Sequence, residues 1–167
     1  MADEGTVALW YRAEDWYNYQ SIFDNSADPD DWEMWIYNNG IARFRVESGT
    51  DVSFDLDELG GPDEWYHLAV AWQRDGSTVD TQLYVNGLLR DENSGAWVDP
   101  GTTFFLGGGN NLNTYGIGAW DDLRIYERML SLGEIRTLAQ VPEPAGCTLL
   151  GMGALALVAL LRRRRRA

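Results

Sequence analysis

The chain has 167 residues, enough for one domain and a tail. Through residue 140 it carries eight arginines and no lysine against 25 of the 26 carboxylates, a balance of −17, and phosphate would be repelled, which excludes nucleic acid as a partner. The single cysteine, Cys147, sits close to the C-terminus, so no disulfide framework is possible and the compartment is not set by thiols.

Taken in chain order, TVALWYR (residues 6–12) alternates, with Val7, Leu9 and Tyr11 on one face and Ala8 and Trp10 on the other, which predicts a strand. A polar aromatic loop, AEDWYNYQ, follows. WEMWIY and IARFRV flank Asn38-Asn39-Gly40, a turn that supplies positive φ, so residues 32–46 form a hairpin. WYHLAVAWQ (residues 65–73) is a long strand with Tyr66, Leu68, Val70 and Trp72 on one face, ended by Arg74-Asp75-Gly76-Ser77. LYVNGLLR (residues 83–90) turns at Asn86-Gly87, and FFLGG and WDDLRIY (residues 120–126) supply the last strands. One helix is clear, in SLGEIRTLAQ, where Ser131 and Glu134 have capping-box spacing and Ile135 and Leu138 form the core-facing pair. Short strands, frequent turns and one short helix predict an all-β antiparallel sandwich over residues 1–140.

The remainder, residues 141–167, reads differently. Residues 146–161 carry no charge and would make a helix of roughly 24 Å at about 1.5 Å per residue, a little short of the ~30 Å hydrocarbon core. Five arginines follow and stay cytoplasmic by the positive-inside rule, which predicts a transmembrane helix with the domain outside. Ahead of the apolar run, Pro142 and Pro144 flank Glu143 and keep that segment extended. Val141, Pro142, Glu143 and Pro144, then the apolar run, then Arg162, Arg163, Arg164, Arg165 and Arg166, together resemble the PEP-CTERM sorting signal of Gram-negative, biofilm-forming bacteria. That resemblance implies recognition by an exosortase, cleavage near the Pro-Glu-Pro motif with loss of Cys147, transient residence in the inner membrane, and delivery to the cell surface or extracellular matrix. MADEGTVALWYRAEDW holds no apolar export segment, so the expectation is that Met1 is not the natural start.

Four segments of the domain carry a second resemblance. GTVALWYR, WYHLAVAW, LYVNG and GAWDDLRIYERMLSLGEI are similar, in order, to strands and the closing helix of laminin-G-like, concanavalin A-like jelly rolls. This implies two curved antiparallel sheets packed face to face. Such domains usually carry one or two strands ahead of the segment similar to GTVALWYR, so the resemblance also implies a domain lacking its first strands.

Enzymes of that architecture cleave β-glucans with carboxylates at i and i+2 on one strand. No glutamate here has an aspartate two residues later, and the nearest approach, Asp55, Asp57 and Glu58 before Gly-Gly-Pro, reads as an exposed loop. His67 is the single histidine and reads as a strand residue satisfied by hydrogen bonds. The expected function is therefore non-catalytic, with a divergent glycoside hydrolase and a protein-adhesion module as alternatives. Related domains often hold a structural calcium ion (Ca2+), which wants several oxygen ligands. By alternation Asp121 shares the inward face of Leu123 and Ile125, making it the first candidate; Asp28, Asp30 and Asp31 are the second. For extracellular polysaccharide, sugar rings stack on aromatic faces while amides and carboxylates take the hydroxyls. Trp16, Tyr17, Tyr19, Asn110, Asn111, Asn113 and Tyr115 fit that chemistry. A matrix protein is the alternative partner.

Overall fold

The computed structural model describes residues 2–16, 19–25, 32–46, 51–108 and 115–140. Ten strands follow in order: β1 (Glu4–Ala13), β2 (Gln20–Asp24), β3 (Glu33–Ile36), β4 (Ile41–Arg45), β5 (Val52–Asp55), β6 (Tyr66–Asp75), β7 (Thr78–Val85), β8 (Leu88–Ala96), β9 (Phe105–Leu106) and β10 (Gly118–Tyr126). A 3-10 turn, Leu56–Leu59, follows β5, and one helix, α1 (Leu132–Leu138), closes the chain described. The strands form two antiparallel five-stranded sheets, ordered β10-β1-β6-β7-β8 and β5-β4-β3-β2-β9. This is the expected double-sheet sandwich.

Turn chemistry sets the register. Asn86 and Gly87 both adopt positive φ, 51° and 74°, as a tight two-residue hairpin requires, and Gly40 does so at 78° between β3 and β4. Gly87 has a further reason to lack a side chain: a Cβ there would stand 3.2 Å from the Arg136 backbone of α1. The helix itself starts at a complete capping box, in which Ser131 and Glu134 satisfy each other's backbone N–H groups.

Between the sheets, the inward faces of β1, β3, β4, β6 and β7 bury Val7, Leu9, Tyr11, Met34, Ile36, Phe44, Leu68, Val70, Trp72 and Leu83. Trp32 stands at the centre, edge-on to Phe44, Trp72 and Trp97 at 6.1, 5.2 and 5.3 Å, and its indole N–H donates to Val98 O at 2.8 Å. Two deep phenols are paired, as burial favours: Tyr11 Oη donates to Gln20 Oε1 at 2.6 Å and Tyr66 Oη to Gly61 O at 2.7 Å. A smaller cluster lies on the opposite side of the first sheet, where Ala8, Ala69, Ala71 and Tyr84 meet Leu130 and Ile135. The small alanines let α1 come close.

The two long sides of the sandwich differ. On one, β5 and β8 are laced together: Ser53 N donates to Asp91 Oδ2 at 2.8 Å, Asn93 Nδ2 to Asp51 O at 3.1 Å, and Arg90 lies 4.5 Å over the Phe54 ring. The other side ends in β10 and the two-residue β9. There Leu123 and Ile125 are 37% and 53% exposed, and Leu106 is 46% exposed.

β10 departs from simple alternation. Ile125 stands opposite the core residue Val7 and Trp120 opposite Tyr11, so both belong to the inner face. Between them β10 carries one extra residue, a bulge at Asp122, whose φ is 49°. The bulge breaks the alternation, and Asp121 stands opposite Trp10 on the outer face instead of beside Leu123 and Ile125. Leu123 and Ile125 are inward but largely uncovered, and Asn25 and Phe104 face Ile125 only across an open cleft.

Candidate glycan-binding face

The outward face of the second sheet gathers aromatic rings and arginines. In β3, Met34 and Ile36 point to the core, so Trp35 points out, opposite Arg43 of β4 and Ser21 of β2. Tyr19 stacks on Trp35 at 5.9 Å with rings 15° apart, and Tyr37 stands edge-on to Tyr19 at 4.7 Å. Arg43 lies 4.9 Å over Tyr37 and 5.9 Å over Trp35, and Arg45 lies 5.0 Å over Trp35. Asp51 holds both guanidiniums, at 3.2 Å from Arg43 and 2.6 Å from Arg45. Glu33 stands opposite Arg45 on the same face, so the formal charge of the patch balances.

These contacts leave Trp35 1% exposed while Tyr19 keeps 40% of its surface. Tyr19 is therefore the accessible ring and Trp35 its base. Burial and the hydrogen bond with Tyr37 raise the Tyr19 phenol above its ordinary range, so it stays a protonated donor. Two further donors on this face, Trp35 Nε1 and Arg43 Nε, are buried without an acceptor. An unpaired buried donor is unfavourable by about 1–3 kcal/mol, so this face is short of acceptor oxygens.

The structure distributes the sequence candidates unevenly. Tyr19 is at the centre of the patch. Ser21 Oγ, opposite Trp35, donates to Gly108 O at 3.1 Å, and Tyr115, 61% exposed, lies beside Gly108. Trp16 is committed elsewhere, its Nε1 donating to Asp57 Oδ1 at 2.6 Å and its ring packed against Gly40. Tyr17, Asn110, Asn111 and Asn113 lie outside the described residues, as do Asp28, Asp30 and Asp31 and the whole of residues 141–167. Asp121 is exposed, and its carboxylate accepts from Asp122 N at 2.8 Å. Among the described residues no three His, Cys, Asp or Glu side chains are grouped as metal ligands. No helix among them is long and apolar enough to cross a membrane.

Trp35, Tyr37, Arg43 and Arg45 were readable only as strand residues. The signal for them lay in register: once Asn39-Gly40 fixes the hairpin, outward positions of WEMWIY and IARFR fall opposite one another. His67 departs from the expectation. It is 2% exposed and edge-on to Trp10 at 5.4 Å, but its Nδ1 has no hydrogen-bond partner. Burial accordingly lowers its pKa to about 4, and the ring serves as packing.

Two five-stranded antiparallel sheets packed face to face define a jelly-roll type of β-sandwich. A profile of the concanavalin A-like lectin/glucanase superfamily, of the laminin-G type, matches residues 2–136, and the chain belongs to that superfamily. Solved structures share the fold at low identity. Domain 4 of AbnA, a GH43 extracellular arabinanase of Geobacillus stearothermophilus in complex with arabinotriose, is 23% identical, with a TM-score of 0.59 over 83% of this chain and 68% of that one. A heptameric SAP-like pentraxin of Limulus polyphemus is 16% identical, with a TM-score of 0.61 over 86% and 73%. The binding domain of botulinum neurotoxin DC in complex with SialylT is 17% identical, with a TM-score of 0.60 over 83% of this chain. The chain spans only 36% of that toxin domain. No curated protein matches the sequence.

Proposed function

We propose that the domain is a non-catalytic carbohydrate-binding module that works outside the cell. The observation carrying this reading is the outward patch of the second sheet, where an exposed tyrosine on an aromatic base is ringed by arginine and carboxylate side chains. A sugar needs that combination, a flat apolar face for its C–H groups and mixed donors and acceptors for its hydroxyls. Support comes from relatives of the fold whose structures contain arabinotriose and SialylT. The extracellular setting rests on the tail: Val141 to Pro144, the apolar run and the five arginines are the parts an exosortase would read, and attachment to an exopolysaccharide matrix would follow from that sorting. A structural calcium ion at Asp28, Asp30 and Asp31, or at Asp121, belongs to the same proposal.

The test is a titration of the full chain against neutral and uronic oligosaccharides, arabinotriose among them, with calcium and with EDTA. At least one sugar is expected to bind, and Tyr19→Ala to weaken it about tenfold while the unfolding midpoint holds. Absence of binding to every sugar at millimolar concentration would overturn the reading. Calcium dependence of the midpoint decides the metal part separately.

A further inference from the structure

We infer that the open side of the sandwich is a strand-accepting site, and that its occupant is an extended segment of another protein with apolar residues at alternate positions and basic residues between them. Two kinds of group are unsatisfied there together. Among the described residues β10 pairs with β1 alone, so every second residue turns its N–H and C=O away from the sheet. On the inner face of the same strand Leu123 and Ile125 are exposed, and Ile125 shares a cleft of about 570 Å³ with Phe104, Pro100, Thr102 and Asp99. Apolar side chains alone would fit many partners. A line of free backbone groups beside them calls for an extended strand, whose own backbone completes the ladder while alternate side chains fill the cleft.

Charge selects the kind of strand. Asp121 stands on the outer face of this side and Asp99 lines the cleft, while Arg124 is already paired with Asp122 at 2.9 Å. The residues through 140 carry 25 carboxylates and eight arginines. An acidic segment is repelled and a basic one attracted. The bulge at Asp122 interrupts the edge, so the segment accepted is short and lies along Leu123 to Tyr126.

The test uses the full chain and three probes: a nine-residue peptide alternating Val and Lys, its Val/Glu counterpart, and no peptide. With the Val/Lys peptide, amide exchange at residues 123–126 is expected to slow at least tenfold. Its affinity should exceed that of the Val/Glu peptide at least tenfold at low salt, a difference that shrinks as salt is added. Ile125→Lys should abolish binding with the urea midpoint unchanged, since the residue is more than half exposed. Equal binding of the two peptides, unprotected amides with both, or peptide-free self-association that protects the same amides would each overturn the proposal, the last by making a second copy the occupant.

Discussion

The two long sides of this sandwich are made of similar sequence and end in opposite states. VSFD in β5 and LLRDENSGA in β8 meet across the sheets through Ser53, Asp91, Asn93 and the Arg90–Phe54 stack. β9 and β10 also carry aromatic, aliphatic and acidic residues, yet Phe105, Leu106, Leu123 and Ile125 stay exposed. The difference lies in reach and not in hydrophobicity. A side closes when hydrogen bonds span it along its length; between β9 and β10 a backbone bond, Gly116 N to Gly107 O at 3.0 Å, ties the start of β10, and Leu123 and Ile125 lie beyond it.

The largest expected effect reports whether β10 is folded in place. His67 lies on β6, separated from β10 by β1, against Trp10, and its pKa is held at about 4 by burial, with Asp122 and Arg124 of β10 as smaller influences. The folded state thus prefers the neutral ring. Its contribution is complete above pH 6.5 and falls away as pH drops toward 4, by about 3 kcal/mol in all. NMR titration should find the depressed value; a pKa near 6.5 would mean that this side frays and the ring is hydrated. Next, Phe54→Ala on the laced side removes a ring packed on the core and strands Arg90, and about 2 kcal/mol should be lost in urea unfolding. Smallest is Ile125→Ala on the open side, expected to shift stability by less than about 0.5 kcal/mol. If Ile125 proved as sensitive as Phe54, the contrast between the two sides would fail.

Local chemistry was legible in the sequence, and long-range geometry was not. Gly40 and the Asn86-Gly87 pair announce their hairpins because the positive φ they adopt is a property of those residues alone. Ser131 and Glu134 likewise cap α1 without help from elsewhere. β2 escaped notice because Gln20, Ser21 and Asp24 are as buried as Ile22 and Phe23, so QSIFD shows no alternation. Its polar groups are satisfied by distant partners, as Gln20 is by Tyr11. The bulge at Asp122 defeated the assignment of Asp121 to the inner face for the same reason: an extra residue in a strand is visible only against its neighbour. At the candidate site, Tyr19 could be chosen as an aromatic in a polar loop. Trp35 and Tyr37 could not be separated from core residues until the register of β2, β3 and β4 was known.

The bulge in β10 also bears on how this molecule behaves in a crowd. A flat, uninterrupted edge would extend one chain's sheet into the next without limit, and an acidic domain displayed at high density would gel or form fibres. An edge that offers four residues and then turns away can take on one short guest and stop.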